Sequence, residues 1–233
     1  MSAPRTARER ARAELIAEIK QVARRHLAEQ GAAALSVRAI SRELGMVSSA
    51  IYRYFPSRDH LLTALIIDAY DAVGAAAEAA DAKRRRSDFA GRWLTAGRAV
   101  RRWALDHPQE YALIYGSPIP GYAAPEETIA PAARVGVVLV GVLGDALAAG
   151  ELKQPDSAVP IPKALGKDID RLRAELMRGV SDQLVLRAIF AWTHLYGTVS
   201  FELFGHYHNV IDARDAAFDH TMRTLGEFVG LPA

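Results

Sequence analysis

Gly45 and Pro56 divide residues 36–65 into three short amphipathic pieces, and few folds accept a chain punctuated in this way. Ser36 offers a hydroxyl to the free N–H groups at the start of the first piece. Val37, Ile40 and Leu44 recur there at helical spacing and predict an inward face, with Arg38, Arg42 and Glu43 on the other side. Gly45 suits the positive φ that commonly ends a helix. Ser48 or Ser49 is positioned to cap a second piece that runs through Phe55. Ile51 and Phe55 share its buried face, while Ser49, Tyr52 and Arg53 point outward. Pro56 stops that helix and Ser57 caps a third, with Asp59 favoured in its first turn. Two short helices around a glycine turn form the helix-turn-helix pattern, whose second helix usually enters the DNA major groove.

The run Ile-Tyr-Arg-Tyr-Phe-Pro-Ser-Arg-Asp-His-Leu-Leu, residues 51–62, resembles the most specific part of the DNA-binding domain of the TetR family of bacterial repressors. The resemblance covers about the first quarter of the chain. It implies that Tyr52, Tyr54, Ser48, Ser49 and Arg53 face an operator. Arg58, where the family usually has lysine, would then neutralise a phosphate. Arg38 is a further candidate for a backbone contact. A weaker likeness lies in residues 191–206. Trp192, His194 and Gly197 occupy the places of a TetR subgroup marked by tryptophan, histidine and glycine in the penultimate helix. In the family, that helix and the last one form the dimer interface.

Charge agrees with this polarity. Residues 1–60 hold 11 Lys+Arg against 6 Asp+Glu, and the rest hold 18 against 21. A basic end on a near-neutral body implies that the N-terminal part meets a polyanion. Arg5, Arg8, Arg10 and Arg12 suggest either a DNA-reaching arm or a solvated terminus. The absence of cysteine excludes disulfides and thiolate metal sites and fits a cytoplasmic protein. No signal peptide is visible. The longest aliphatic run, residues 135–143, falls short of the ~20 residues a membrane helix needs. No Gly-rich phosphate loop, nucleophile elbow or zincin motif is present, so neither an enzyme nor a cofactor or metal site is expected.

The rest of the chain reads as helices. One is expected over 9–30, with Leu15, Ile19, Val22 and Leu27 inside. A long connector runs from Ser57 to about Ala80. Asp88 caps a helix to His107, a short helix ends at Tyr115, and the Pro/Gly-rich stretch 116–125 is a loop. Residues 126–150 form a helix despite their valines, 168–177 another, 182–206 a long one capped by Ser181 or Asp182, and 212–228 the last, capped by Asp212. The expected architecture is all-α: a three-helix helix-turn-helix domain, 1–57, and a larger helical ligand-binding and dimerisation domain, 58–233.

The body's aromatic residues suggest a pocket. Trp93, Trp103, Tyr111, Tyr115, Trp192, His194 and Tyr196 are candidate ligand contacts, with 116–125 as a lid. Leu184, Leu195, Phe201, Leu203 and Phe204 go nearly all round their helix. With Phe218, Met222 and Leu225 they predict a four-helix homodimer interface. The function these features imply is a repressor released from near-palindromic double-stranded operator DNA by a small apolar inducer. The alternative is a regulator or activator without a pocket.

Overall fold

The computed structural model describes residues 6–154 and 159–232, and among these it contains helices and no strand. It divides into two compact units. The first takes the chain up to Tyr70 and adds His107–Ile129. The second holds Asp71–Asp106 and the chain from Ala130 onward.

In the first unit, α1 (Ala7–Gln30) begins at a reciprocal cap. Thr6 Oγ1 accepts from the Glu9 backbone N–H at 3.2 Å, and the Glu9 carboxylate accepts from the Thr6 N–H at 2.7 Å. Arg8, Arg10 and Arg12 are therefore helical rather than part of a loose arm, and Arg5 lies outside the described residues. Next come α2 (Val37–Glu43), α3 (Ser48–Ile51) and the start of α4 (Arg58–Ala82). Ile19, Val22 and Leu27 of α1 meet Val37, Ile40, Ile51, Phe55, Leu61, Leu62 and Leu65 in one core. Burying each of these large side chains contributes about 1.5–3 kcal/mol. The domain boundary expected after residue 57 falls inside this unit, because the three leucines of α4 fill its centre. A short helix, α6 (Pro108–Tyr115), and the loop after it complete the unit. Leu113, Ile119 and Tyr122 pack against the same core, and the Tyr122 hydroxyl lies 2.9 Å from Thr63 Oγ1.

The second unit contains the end of α4, then α5 (Phe89–Asp106), α7 (Ile129–Ala148), α8 (Gly166–Leu176), α9 (Asp182–Leu203) and α10 (Arg214–Phe228). Asp88 caps α5 by accepting from Gly91 N–H at 2.9 Å, and Ser181 caps α9 by accepting from Leu184 N–H at 3.3 Å. Asp212 makes no such cap, since α10 begins one residue later, after Ala213. The valines of α7 are helical, with Val135, Leu139, Val142, Leu143 and Ala146 on one buried stripe and Val137 exposed.

Charged side chains tie these helices together. Arg92 is buried and donates to Asp81 and Asp145, both at 2.7 Å, and to the Arg86 carbonyl at 3.0 Å. It thus links the end of α4, α5 and α7. Burial pushes the Asp81 carboxyl up, but hydrogen bonds from Arg92 and Arg86 outweigh this and hold it below its ordinary range. Arg134 of α7 donates to Asp71 at 2.7 Å and to Glu78 at 2.6 Å, both on α4. Arg101 of α5 grips Glu202 of α9, and Trp93 donates its indole N–H to the Met222 carbonyl of α10 at 3.0 Å.

By length and composition alone, α4 and the segment Glu126–Ala148 are each apolar enough to cross a membrane, more than the sequence reading allowed. Half of the α4 window is buried inside the protein, as befits a core helix.

Candidate DNA-binding surface and ligand cavity

The turn between α2 and α3 is built as its residues require. Gly45 has φ +63°, and Met46 N–H returns to the Ser41 carbonyl at 2.9 Å. Ser41 Oγ and Ser48 Oγ lie 3.0 Å apart and pin the two helices together. Ser48 is thus part of the hinge and caps nothing. The residue before α3 is Val47, which has no capping side chain. The α-helical part of the second piece is shorter than expected. It ends at Ile51 and continues as a tight turn, with Tyr54 and Phe55 N–H both returning to the Ile51 carbonyl.

This geometry sorts the expected DNA-facing residues. Ser49, Tyr52 and Arg53 are exposed together at the tip, and Arg38 is exposed on α2. Tyr54 instead packs on the core with the Arg12 guanidinium 5.2 Å from its ring centre. Arg58 also has other partners. It donates to the carbonyls of Leu35 at 3.1 Å, Ala32 at 2.8 Å and Ala33 at 3.2 Å. Its guanidinium therefore clamps the turn between α1 and α2, which departs from the expected phosphate contact. Sequence reasoning missed Val47, which is 71% exposed beside Ser48. A bulky apolar residue left in water at the start of this helix was the available signal.

Behind the tip, His26 and Arg25 of α1 hold Glu43 at the end of α2. The hydrogen bonds from His26 and then Arg25 keep its carboxyl below the usual range. The first helix of the motif is thus fixed to α1 by charge as well as by Val37 and Ile40.

In the second unit, α5, α7, α8 and α9 surround a cavity of about 360 Å³. Leu139, Val140 and Leu143 of α7 face Leu172 and Leu176 of α8 and Ile189 of α9. Trp93 and Trp192 are its two aromatic walls. The other expected contacts lie elsewhere. Trp103 is buried on α5 outside the lining. Tyr111 and Tyr115 belong to the first unit, where Tyr115 meets Tyr70 edge-on at 5.9 Å. His194 is exposed, and Tyr196 is buried against Trp192, ring centres 5.6 Å apart. The loop 116–125, expected as a lid, is built into the first unit through Ile119 and Tyr122, and none of its residues is in the described lining.

The expected dimer contacts also separate. Leu184, Leu195, Phe218, Met222 and Leu225 are buried in the protomer's own core, and Leu203 is half-buried. Phe201 and Phe204 are exposed. With Phe190, His194 and Gly197 they form one open stripe along α9, at steps of four and three residues.

Comparison with known proteins finds two family models along the chain. The family model described as "Bacterial regulatory proteins, tetR family" matches residues 19–65, and "Tetracyclin repressor-like, C-terminal domain" matches residues 93–225. An HTH-type transcriptional regulator of Mycobacterium tuberculosis, Rv1816, is 41% identical over 206 residues, 84% of each chain. The crystal structure of a regulatory protein, SCO4313, aligns with a TM-score of 0.75 and 37% identity, covering 96% of this chain and 98% of that one. A Rhodococcus sp. RHA1 protein of unknown function shares the fold at a TM-score of 0.65 and 23% identity, covering 90% of this chain and 94% of that one.

Proposed function

The chain belongs to the TetR family of DNA-binding transcriptional regulators, and from that premise we propose that it is a repressor released from its operator by a small apolar ligand. The observation that carries this reading is the cavity between α5, α7, α8 and α9, about 360 Å³ in volume. Ligand pockets of ~300–1,000 Å³ with mostly apolar walls are the usual form of small-molecule sites. A regulator without an inducer has no use for such a space, so the cavity favours inducible repression over the alternative.

On the DNA side, Ser49, Tyr52 and Arg53 contact the operator, and Arg38 meets its backbone. Val47 adds a reader that hydrogen-bonding residues cannot replace, because an apolar side chain in the major groove recognises the thymine methyl group. Two copies act together through the open stripe Phe190–His194–Gly197–Phe201–Phe204. Trp192, His194 and Gly197 support placement in the tryptophan-histidine-glycine subgroup. The protein works in the cytoplasm, where its operator is. Its two recognition segments stand ~34–36 Å apart in the DNA-bound state, and the ligand favours another state.

Footprinting on DNA flanking its own gene tests the reading. Two protected half-sites ~10 base pairs apart are expected. Tyr52→Ala, with unchanged thermal stability, should abolish the footprint. A single protected half-site, or full protection by Tyr52→Ala, overturns the reading.

A further inference from the structure

The lining of the cavity specifies the charge of its ligand. Among the described residues, none that lines the cavity bears a charge or a hydroxyl group. Their strong side-chain hydrogen-bond donors are two indoles. That of Trp93 is already committed to the Met222 carbonyl. That of Trp192, at the half-open edge, leaves room for at most one polar group of a ligand.

The arginines beside the lining in sequence are also engaged: Arg92, beside Trp93, with Asp81 and Asp145, Arg171, beside Leu172, with Asp168, and Arg178, beside Met177, with the Ala174 carbonyl. Arg134, beside Ala133, holds Asp71 and Glu78. Arg173, beside Leu172, pairs with Asp170 and Asp182. Arg187, beside Ala188, donates to the Phe228 carbonyl at 2.9 Å and lies over the Phe228 ring. A carboxylate buried in this space would lose its water and find no counter-ion in the described lining. An ammonium would find no carboxylate there. Either loss is large compared with what apolar contact returns.

Wall chemistry narrows the class further. Among the described residues, the walls are chiefly branched aliphatic side chains and alanines, with two rings. This displaces the aromatic ligand that the aromatic side chains of the body suggested.

We propose that the cavity binds an uncharged, mainly aliphatic molecule. This rests on the reading of the cavity as the inducer site, and sharpens it.

The test is tryptophan fluorescence titration of the full-length protein at neutral pH with decanol, decanoate and decylamine, which share one chain length. Saturable decanol binding is expected, with decanoate and decylamine at least ~10-fold weaker because each carries an unpaired charge into apolar walls. Gly136→Leu locates the site. A Cβ added at Gly136 meets nothing within 4 Å and Gly136 lines the cavity, so this variant should keep its thermal stability and lose decanol. Equal binding of the charged compounds, no decanol binding, or decanol binding that survives Gly136→Leu each overturn the proposal. Decanol that fills the cavity without changing DNA affinity upholds the ligand class and removes the inducer reading instead.

Discussion

Arg134 of α7 lies directly across Gly74 of α4. A Cβ added at Gly74 would come within 2.7 Å of the Arg134 Cβ and 2.9 Å of its Nε. The missing side chain lets the two helices approach, and the arginine then reaches Asp71 on one side and Glu78 on the other.

Gly74→Ala should therefore destabilise the protein although it places alanine in a helix. Helix propensity favours the change by about 1 kcal/mol, and overpacking opposes it by about 1–3 kcal/mol. The obstructing atom is the root of the arginine side chain, which cannot swing away. In an Arg134→Gly background the obstruction is gone, and the same change should raise the melting temperature. Thermal unfolding of the four variants gives the sign in each background.

The same arginine sets a pH dependence. Hydrogen bonding from Arg134 holds Glu78 below its ordinary value of 4.5. A carboxyl with a depressed folded value contributes stability that is fully present above its unfolded value and is lost as pH falls through the folded one. The stability gap between wild type and Arg134→Gln should thus be widest near neutrality and close well below pH 4.5. Urea unfolding at neutral and acidic pH measures it, and a constant gap would contradict the assignment.

Arg58 and Arg38 should behave differently. Arg58→Ala strips three backbone carbonyls of a charged donor, and each such hydrogen bond is worth about 1.5–3 kcal/mol. Its melting temperature should fall, while the folded fraction keeps the wild-type salt dependence of DNA binding. Arg38→Ala should leave stability unchanged and reduce the salt slope by about one. A reduced slope in Arg58→Ala would return that residue to the phosphate backbone.

Gly197 sits mid-stripe on α9, and a Cβ added there would meet nothing within 4 Å in its own protomer. Gly197→Leu should keep the helix content and protomer fold, yet separate the dimer by holding a second α9 away. Light scattering at micromolar concentration reads the change directly. A dimer that tolerates the leucine places the interface elsewhere.

The helix-turn-helix was legible because its signals are local. Gly45, Pro56, Ser36 and Ser57 act on neighbours a few residues away, so the chain itself announces them. The carbonyl partners of Arg58 were not legible for the opposite reason, since they lie 23 to 26 residues back. The cavity was illegible in its walls. An apolar period on α7 looks the same whether a leucine meets another leucine or an empty space, and aromatic rings such as Tyr111 drew notice that their packing did not warrant. On α9, apolar residues on all sides signalled several buried faces. They could not say that Leu184 and Leu195 serve the protomer while Phe201 is open.

The docking of Leu113, Ile119 and Tyr122 onto the first unit has a consequence for how the protein is made and recombined. The DNA-binding core is not complete when its own three helices have left the ribosome, because two of its covering side chains arrive only with the loop beyond residue 115. A chimera that exchanges residues 1–57 alone would tear this surface open. Exchange between relatives must carry both stretches of chain.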